Sequence, residues 1–276
     1  QRQKDTREIE RRLTVKMSDN TDLHLHTYHS DGTQSPTQVV RWAHDHGLTT
    51  IAITDHDEVR GSLEAQDLAP KYGIEVVPGA EVSTKEGHLV ALFIKTLPPA
   101  GMSLIDTLLY IGKQGGVAIA PHPFNHLPNS LSMEAVLGAL TNPRAKGALK
   151  GIETHNMGTQ NFDKIAQKLS IYLPLAKIAS SDAHIYWAIG AGRTEFPGET
   201  AADLRMALEK NTTVPIPYEE EFSAKAVISW VRRIAMRRLG GYASDARSAS
   251  TPIITQQMSS SMIQKLKRKN KKEDGQ

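Results

Sequence analysis

The chain has 276 residues, a formal net charge of +3, 39% hydrophobic residues and no cysteine. Such a length accommodates one large domain of the β/α-barrel kind. The missing thiols exclude disulfides, thiolate metal sites and a cysteine nucleophile, so any metal would be held by His, Asp and Glu, a donor set suited to zinc, manganese, iron or magnesium.

Residues 1–20 read as a polar extension, and QRQKDTREIERRLTVKMSDN lacks the apolar core of a secretory signal. No run of 18 apolar residues follows, so no membrane span is expected and a cytoplasmic protein is the default. The first strand carries DLHLHTYHSDG, Asp22 to Gly32. Leu23 and Leu25 alternate there with Asp22, His24 and His26, which puts both imidazoles on one face of the strand. Two imidazoles so placed could reach one metal ion, although an isolated His-x-His is more often a pair of ordinary core or surface histidines.

SPTQVVRWAHDHG predicts a helix with Ser35 as N-cap, Pro36 at its first position and Gly47 as its stop. His44 and His46 sit near its C-terminus, where they favour the helix dipole and read as structural. LTTIAITDHD is a β-branched strand ending in Asp55, His56 and Asp57. A helix from about Val59 to Tyr72, closed by Gly73, leads to the strand IEVVPGAEVS with Glu81 near its end. GHLVALFI is the next strand and His88 opens it. Ser103 caps a helix through Lys113, and GVAIAPHP is a fifth strand ending at His122. A helix near Ser132 to Leu140 precedes the strand ALKGIETHN; a helix from Asn161 to Leu169 precedes PLAKIASSDAH, which ends in Asp182 and His184. Thr200 caps a last helix through Lys210.

Apolar runs without strict alternation suit strands buried on both faces, and repeated βα units imply a parallel sheet. No glycine-rich phosphate loop of the dinucleotide or P-loop type follows any strand, which favours a closed barrel over an open doubly wound sheet.

Beyond Phe222 the composition changes: twelve Lys/Arg face three Asp/Glu, a balance of +9 that leaves −6 for the rest. An acidic body would be offset by bound divalent cations. Residues 223–239 predict a basic amphipathic helix, with Val227, Val231, Ile234 and Ala235 opposite Arg232, Arg233 and Arg237. Most such helices pack on their own domain; the rival partners are an acidic membrane surface or nucleic acid. Residues 240–276 are Ser/Lys-rich and aperiodic and read as a disordered basic tail able to contact polyanions.

In β/α barrels the carboxyl ends of the strands converge on the face where active sites lie. Core packing gives no reason for His, Asp or Glu at nearly every strand end, so together these residues point to a polynuclear metal site. HLHTYHSDG, ITDHD, PGAEVS, GHLVALFI, APHPF and SSDAH, in that order between about Thr21 and Lys210, resemble the successive motifs of the PHP family, named for polymerase and histidinol phosphatase. The resemblance implies a distorted seven-stranded β/α barrel over residues 21–222, with two or three divalent metals at the C-terminal ends of its strands for phosphoester hydrolysis. Carried over by motif, His24, His26, Glu81 and Asp182 would hold one metal. Glu81 would bridge to a second, held also by His88 and His122, and Asp31, His56 and His184 would bind a third. A bridging carboxylate brings two cations to roughly 3.5–4 Å, where they activate a shared water and clamp a phosphoryl group. The expected nucleophile is then a metal-bound hydroxide rather than a side chain, with coordination positions left open for substrate.

Arg193 in GAGRT is a candidate for a bidentate phosphate contact, and Asn156 for a hydrogen bond to substrate; each reads equally well as a surface or capping residue. His155 stands where the family usually carries a non-ligand and is set aside. His29 and His126 lie in loops beside metal motifs and are candidates for contacts to ligands or substrate. The expected protein is a freestanding metal-dependent phosphatase acting on nucleotide-like or other small phosphorylated substrates. The alternatives are an exonuclease or phosphodiesterase of the same family, a metal-dependent amide hydrolase, and a non-catalytic metal-stabilised binding module that works through its basic tail.

Overall fold

The computed structural model describes residues 17–217 apart from 126–128 and 146. The expected basic helix over 223–239, the tail over 240–276, most of the N-terminal extension and His126 lie outside the described residues. Among those residues, nine strands form a single sheet: β1 (Met17–Leu25), β2 (Thr50–Ile53), β3 (Glu75–Ser83), β4 (His88–Leu92), β5 (Val117–Ala120), β6 (Leu149–Asn156), β7 (Ala176–Ser180), β8 (Arg193–Pro197) and β9 (Val214–Ile216). The helices are α1 (Pro36–Asp45), α2 (Arg60–Leu68), α3 (Leu104–Lys113), α4 (Met133–Thr141), α5 (Asp163–Ser170) and α6 (Ala201–Lys210).

The strand order is β7-β6-β5-β4-β3-β2-β1-β8-β9, so β1 to β7 follow one another around the sheet. Just past β7, Ala183 bridges Leu25 of β1 in parallel, which brings the two ends of this run together at the carboxyl side. Lower down, β8 lies antiparallel to β1, and the Thr194 hydroxyl accepts from the Ala179 amide and donates to the Ala179 carbonyl, each at 2.9 Å. The result is a nearly closed barrel-shaped sheet. Beyond the seven expected strands stands the β8–β9 hairpin, whose inward residues Thr194 and Phe196 are fully buried while their neighbours are not.

The sheet is not wholly parallel. β4 runs antiparallel to both β3 and β5, because only four residues separate β3 from β4 and a parallel crossover needs a dozen or more. Thr84 donates to the Gly87 carbonyl to close that turn, and Gly87 takes a φ of 144° open to glycine. The reversal places His88, the first residue of β4, at the same rim as the last residues of its neighbours.

Four helices begin where the sequence places an N-cap: Ser35, Ser103, Ser132 and Thr200 each accept from the amide three residues on. Such caps are each worth ~1 kcal/mol. The expected helix Val59 to Tyr72 breaks at Leu68 into a short 3₁₀ turn, since Pro70 offers no amide and Gly73 stops the chain in the left-handed region. The segment before α5, Met157–Phe162, is two short 3₁₀ pieces that meet at a kink at Thr159, where φ is −128°. Between helices and sheet the core is aliphatic, with Leu23, Leu25, Ile51, Ile53, Leu89 and Leu92 among its fully buried side chains.

Asp22 ties the seam. Its carboxylate is fully buried and accepts from the amides of Ser181 at 3.1 Å and Gly190 at 2.9 Å, binding β1 to the segment after β7. Burial pushes its pKa up to about 6, against the pull of those amides.

Candidate metal centre

Every expected ligand lies at the carboxyl rim of the sheet. His24 and His26, at the end of β1, are buried and face the same way, their ring centroids 5.1 Å apart. The chain then turns back on itself so tightly that a Cβ at Gly32 would lie 2.3 Å from the His26 carbonyl oxygen. That turn is organised by Asp55, whose carboxylate accepts from the Thr27 amide, the Thr27 hydroxyl and the Ser30 hydroxyl, each at 2.7 Å. α2 packs against the same turn through Gly61, where a Cβ would fall 2.1 Å from Asp55 Oδ2. The turn presents Asp31 to His184 Nε2 at 3.2 Å, to His26 Nδ1 at 3.7 Å and, through its other oxygen, to His56 Nε2 at 3.7 Å.

Glu81 is the hub. Its Oε2 lies 3.1 Å from His56 Nδ1, 3.2 Å from His24 Nε2 and 3.5 Å from His26 Nε2. Its Oε1 lies 2.8 Å from His88 Nδ1 and 3.1 Å from His122 Nε2. Asp182 closes the far side, with Oδ1 3.2 Å from His26 Nε2 and 3.6 Å from both His24 Nε2 and His184 Nδ1. All nine positions carried over from the motifs therefore meet in one cluster. His26 is the shared member: its Nε2 belongs with His24, Glu81 and Asp182, while its Nδ1 faces Asp31 in a second group with His56 and His184.

Two of these residues sit in the left-handed region of backbone space, His122 at φ 29° and Asp182 at φ 52°. Such conformations cost of order 1–3 kcal/mol and persist only where the surroundings enforce them. His122 is held by three bonds: its amide donates to Glu153 Oε2 at 2.8 Å, and its carbonyl accepts from Asn125 Nδ2 and Ser130 Oγ.

The electrostatics fit cations. Burial alone would push the carboxyls of Glu81 and Asp182 up, yet the imidazoles around them, His24 foremost, hold both well below the ordinary range. His24, which burial would lower, is raised well above the usual histidine value by Asp182, Glu81 and Glu153. The donor set itself matches divalent metals, being imidazole and carboxylate only. Seven of the nine positions fall in groups whose donor atoms lie within 4.8 Å of one another: His26 with Asp31, His56 and His184, His24 with His26 and Glu81, and His56 with Glu81 and His88. His122 and Asp182 stand outside those groups. His26 Nε2 is buried and aligned for a hydrogen bond with no neighbour, though two carboxylate oxygens stand close to it. A nitrogen that shares a focus with oxygens instead of pointing at one of them is placed as a ligand is placed.

His184 supplies a pH test. Although burial would lower it, Asp31 and Asp182 raise its pKa to about 9. A folded-state value above the unfolded 6.5 gives stability that is complete below pH 6.5 and disappears as pH rises through about 9, here roughly 3 kcal/mol. Protein held in chelator should therefore melt lower at pH 9.5 than at pH 6.5. Protein with metal should not follow that fall, because metal takes neutral imidazole. Equal melting temperatures at the two pH values in chelator would contradict the His184 ion pairs.

The remaining candidates divide. Asn156 is buried and donates from Nδ2 to Glu153 at 2.8 Å and to Asp182 Oδ2 at 3.2 Å, while its Oδ1 is a buried acceptor with no partner among the described residues. Arg193 opens β8, one step beyond the pairing of Thr194 with Thr21, and its half-buried side chain makes no ion pair among the described residues. His29 pairs with Glu64 at 3.2 Å, outside the cluster. His44 and His46 are exposed, the first beside Asp45 and the second bonded to the Trp42 carbonyl. His155 lies next to Thr154 Oγ1 and outside the three groups of donors. Sequence reasoning missed Glu153, which is buried against His24, and left Asp55 without a role. The signal for Glu153 was a carboxylate inside an apolar strand, KGIETHN.

Comparison with known proteins bears on the family of the chain. The sequence profile of the PHP domain matches residues 22–167, and that of a PHP-associated region matches residues 163–213. An uncharacterised protein of Methanocaldococcus jannaschii is 31% identical over 177 residues, 60% of this chain and 97% of that protein. A 3',5'-nucleoside bisphosphate phosphatase of Chromobacterium violaceum is 40% identical over 85 residues, 29% of this chain and 30% of the phosphatase, so the likeness spans under a third of that enzyme. Among solved structures, a two-domain Bacteroides vulgatus protein containing a predicted PHP-like metal-dependent phosphoesterase superposes with a TM-score of 0.62 at 21% identity, covering 77% of this chain and 69% of that one. The last likeness bears on the fold.

Proposed function

The chain belongs to the PHP family, and from that footing we infer that it is a metal-dependent phosphoesterase whose substrates are nucleotide-like or other small phosphate esters. One observation carries this reading: Glu81 offers its two oxygens to two different sets of imidazoles. We assign one metal to His24, His26, Glu81 and Asp182, a second to Glu81, His88 and His122, and a third to Asp31, His56 and His184. Divalent metals bound there would supply Lewis acidity toward the phosphoryl oxygens and the attacking water.

The side chains do the rest. The turn held by Asp55 fixes Asp31 in front of His56 and His184, so that donor group is set before substrate arrives. Arg193, a half-buried cation with no ion pair among the described residues, is our candidate to grip a non-reacting phosphate oxygen. Asn156 Oδ1 is suited to accept a substrate hydroxyl. Among the described residues no helix is long and apolar enough to cross a membrane.

The test is a phosphate-release panel over nucleotides, nucleoside bisphosphates and short oligonucleotides, with manganese, zinc, iron and magnesium supplied separately after chelation. Inorganic phosphate from the small monoesters is the expected result. Mononucleotide release from oligonucleotides alone would replace it with the exonuclease reading, and no hydrolysis with any metal would overturn both. Arg193→Ala should raise KM ~10-fold or more, the value of a lost charged hydrogen bond, and weaken inhibition by free phosphate to match. Wild-type KM and phosphate inhibition would return Arg193 to the ordinary surface.

A further inference from the structure

Glu153 is a buried carboxylate on β6 that none of the assigned metals uses. Its Oε1 lies 3.0 Å from His24 Nδ1, while its Oε2 receives two N–H groups, from the His122 amide and from Asn156 Nδ2, both at 2.8 Å. We propose that Glu153 is a positioning residue that selects the metal-binding tautomer of His24 and, through the His122 amide, holds both halves of the cluster in register. It rests on the metal centre assigned above.

An ionised carboxylate only accepts, so the proton between Glu153 and His24 belongs to Nδ1. The Nε2 of a neutral His24 is thereby left as a bare lone pair, aimed at the side where Glu81 and Asp182 stand. Ligating histidines commonly donate their other nitrogen to a carboxylate, and loss of that partner typically costs 10- to 100-fold in metal affinity. At the other oxygen, the amide of His122 is fixed at its unusual φ of 29°, which sets the direction of a ring on the opposite side of Glu81.

The geometry makes a prediction that packing alone does not. In Glu153→Gln the amide oxygen must replace Oε2, because two donors converge there. Its NH2 then faces His24 Nδ1 and forces that nitrogen to accept, so the proton moves to Nε2 and blocks the nitrogen needed by metal. In Glu153→Ala the side chain is gone and His24 is free to take either tautomer. Gln is isosteric and fills the space, whereas Ala leaves a hole beside His24 and His122. Stability and metal affinity should therefore rank the variants in opposite orders.

The experiment measures full-length wild type, Glu153→Gln and Glu153→Ala, each stripped and titrated with manganese or zinc against a competing chelator. Melting temperatures are taken in chelator, and nitrogen shifts of His24 report its tautomer. Metal affinity about 10- to 100-fold below wild type in Gln, with a smaller loss in Ala, is the expected outcome. In chelator, Ala should melt lower than Gln. Gln binding metal as tightly as wild type, or Ala binding more weakly than Gln, would overturn the role for Glu153. Wild type binding no metal would instead remove the centre itself, so the two failures are told apart.

Discussion

Removing divalent metal should abolish phosphate release and lower the melting temperature by ~10 °C. The cluster packs the carboxylates of Asp31, Glu81 and Asp182 among six imidazoles, three of them at least nine-tenths buried. Without cations, that many ionisable groups hold together only by sharing protons; with cations they become ligands. Metal that binds the folded chain alone stabilises it by mass action, about 4 kcal/mol per site at a thousandfold excess over Kd. For a domain of this size each kcal/mol shifts the midpoint by roughly 2–4 °C. Thermal scans with and without chelator, paired with elemental analysis and phosphate release, check both halves. A protein that contains no metal, melts unchanged in chelator and stays active would remove the centre and the activity together. Return of activity on adding one metal after chelation names the metal that works.

The candidate ligands were legible because their residue types are wrong for where they stand. An apolar strand of a double-sided sheet has no use for His or Asp at its end, so ITDHD, APHP and SSDAH marked the rim before any contact was known. The helices were legible through their caps, Ser35, Ser103, Ser132 and Thr200, which act within one turn. What escaped was long-range. β8 and β9 are short, carry Pro197 and Pro215, and exist because Thr194 and Phe196 find a seam between β1 and β7 that a local reading of GAGRTEFPG does not contain. The reversal of β4 was readable from a four-residue connection, had its length been weighed. Glu153 acts on His24 across 129 positions of sequence, and no spacing rule joins them. The left-handed φ of His122 is still less accessible, since the residue before a proline is ordinarily pushed toward extended backbone.

Glu81→Gln should be the most damaging conservative change at the rim, on the order of a thousandfold in turnover. Five imidazole nitrogens lie within 3.5 Å of this one carboxylate, three on Oε2 and two on Oε1. A glutamine keeps the shape and a single acceptor oxygen. Whichever side receives the amide oxygen, the other side meets an NH2, which neither ligates metal nor accepts from imidazole. One of the two metals then loses a ligand outright and both lose a neutralising charge, several kcal/mol of transition-state stabilisation. His155→Ala is the matched control, for His155 follows Glu153 by two residues on the same strand, is only half-buried, and contacts Thr154 rather than any assigned ligand. Its turnover should stay within about twofold of wild type, as expected of a substitution away from a buried network. Both variants should be compared by kcat, metal content and circular dichroism. Equal impairment would mean that the motif at β3 or the one at β6 has been assigned to the wrong face of its strand. A folded Glu81→Gln protein with full metal content and wild-type turnover would be more serious, because a bridging carboxylate is the one ligand that no neighbour in this cluster replaces.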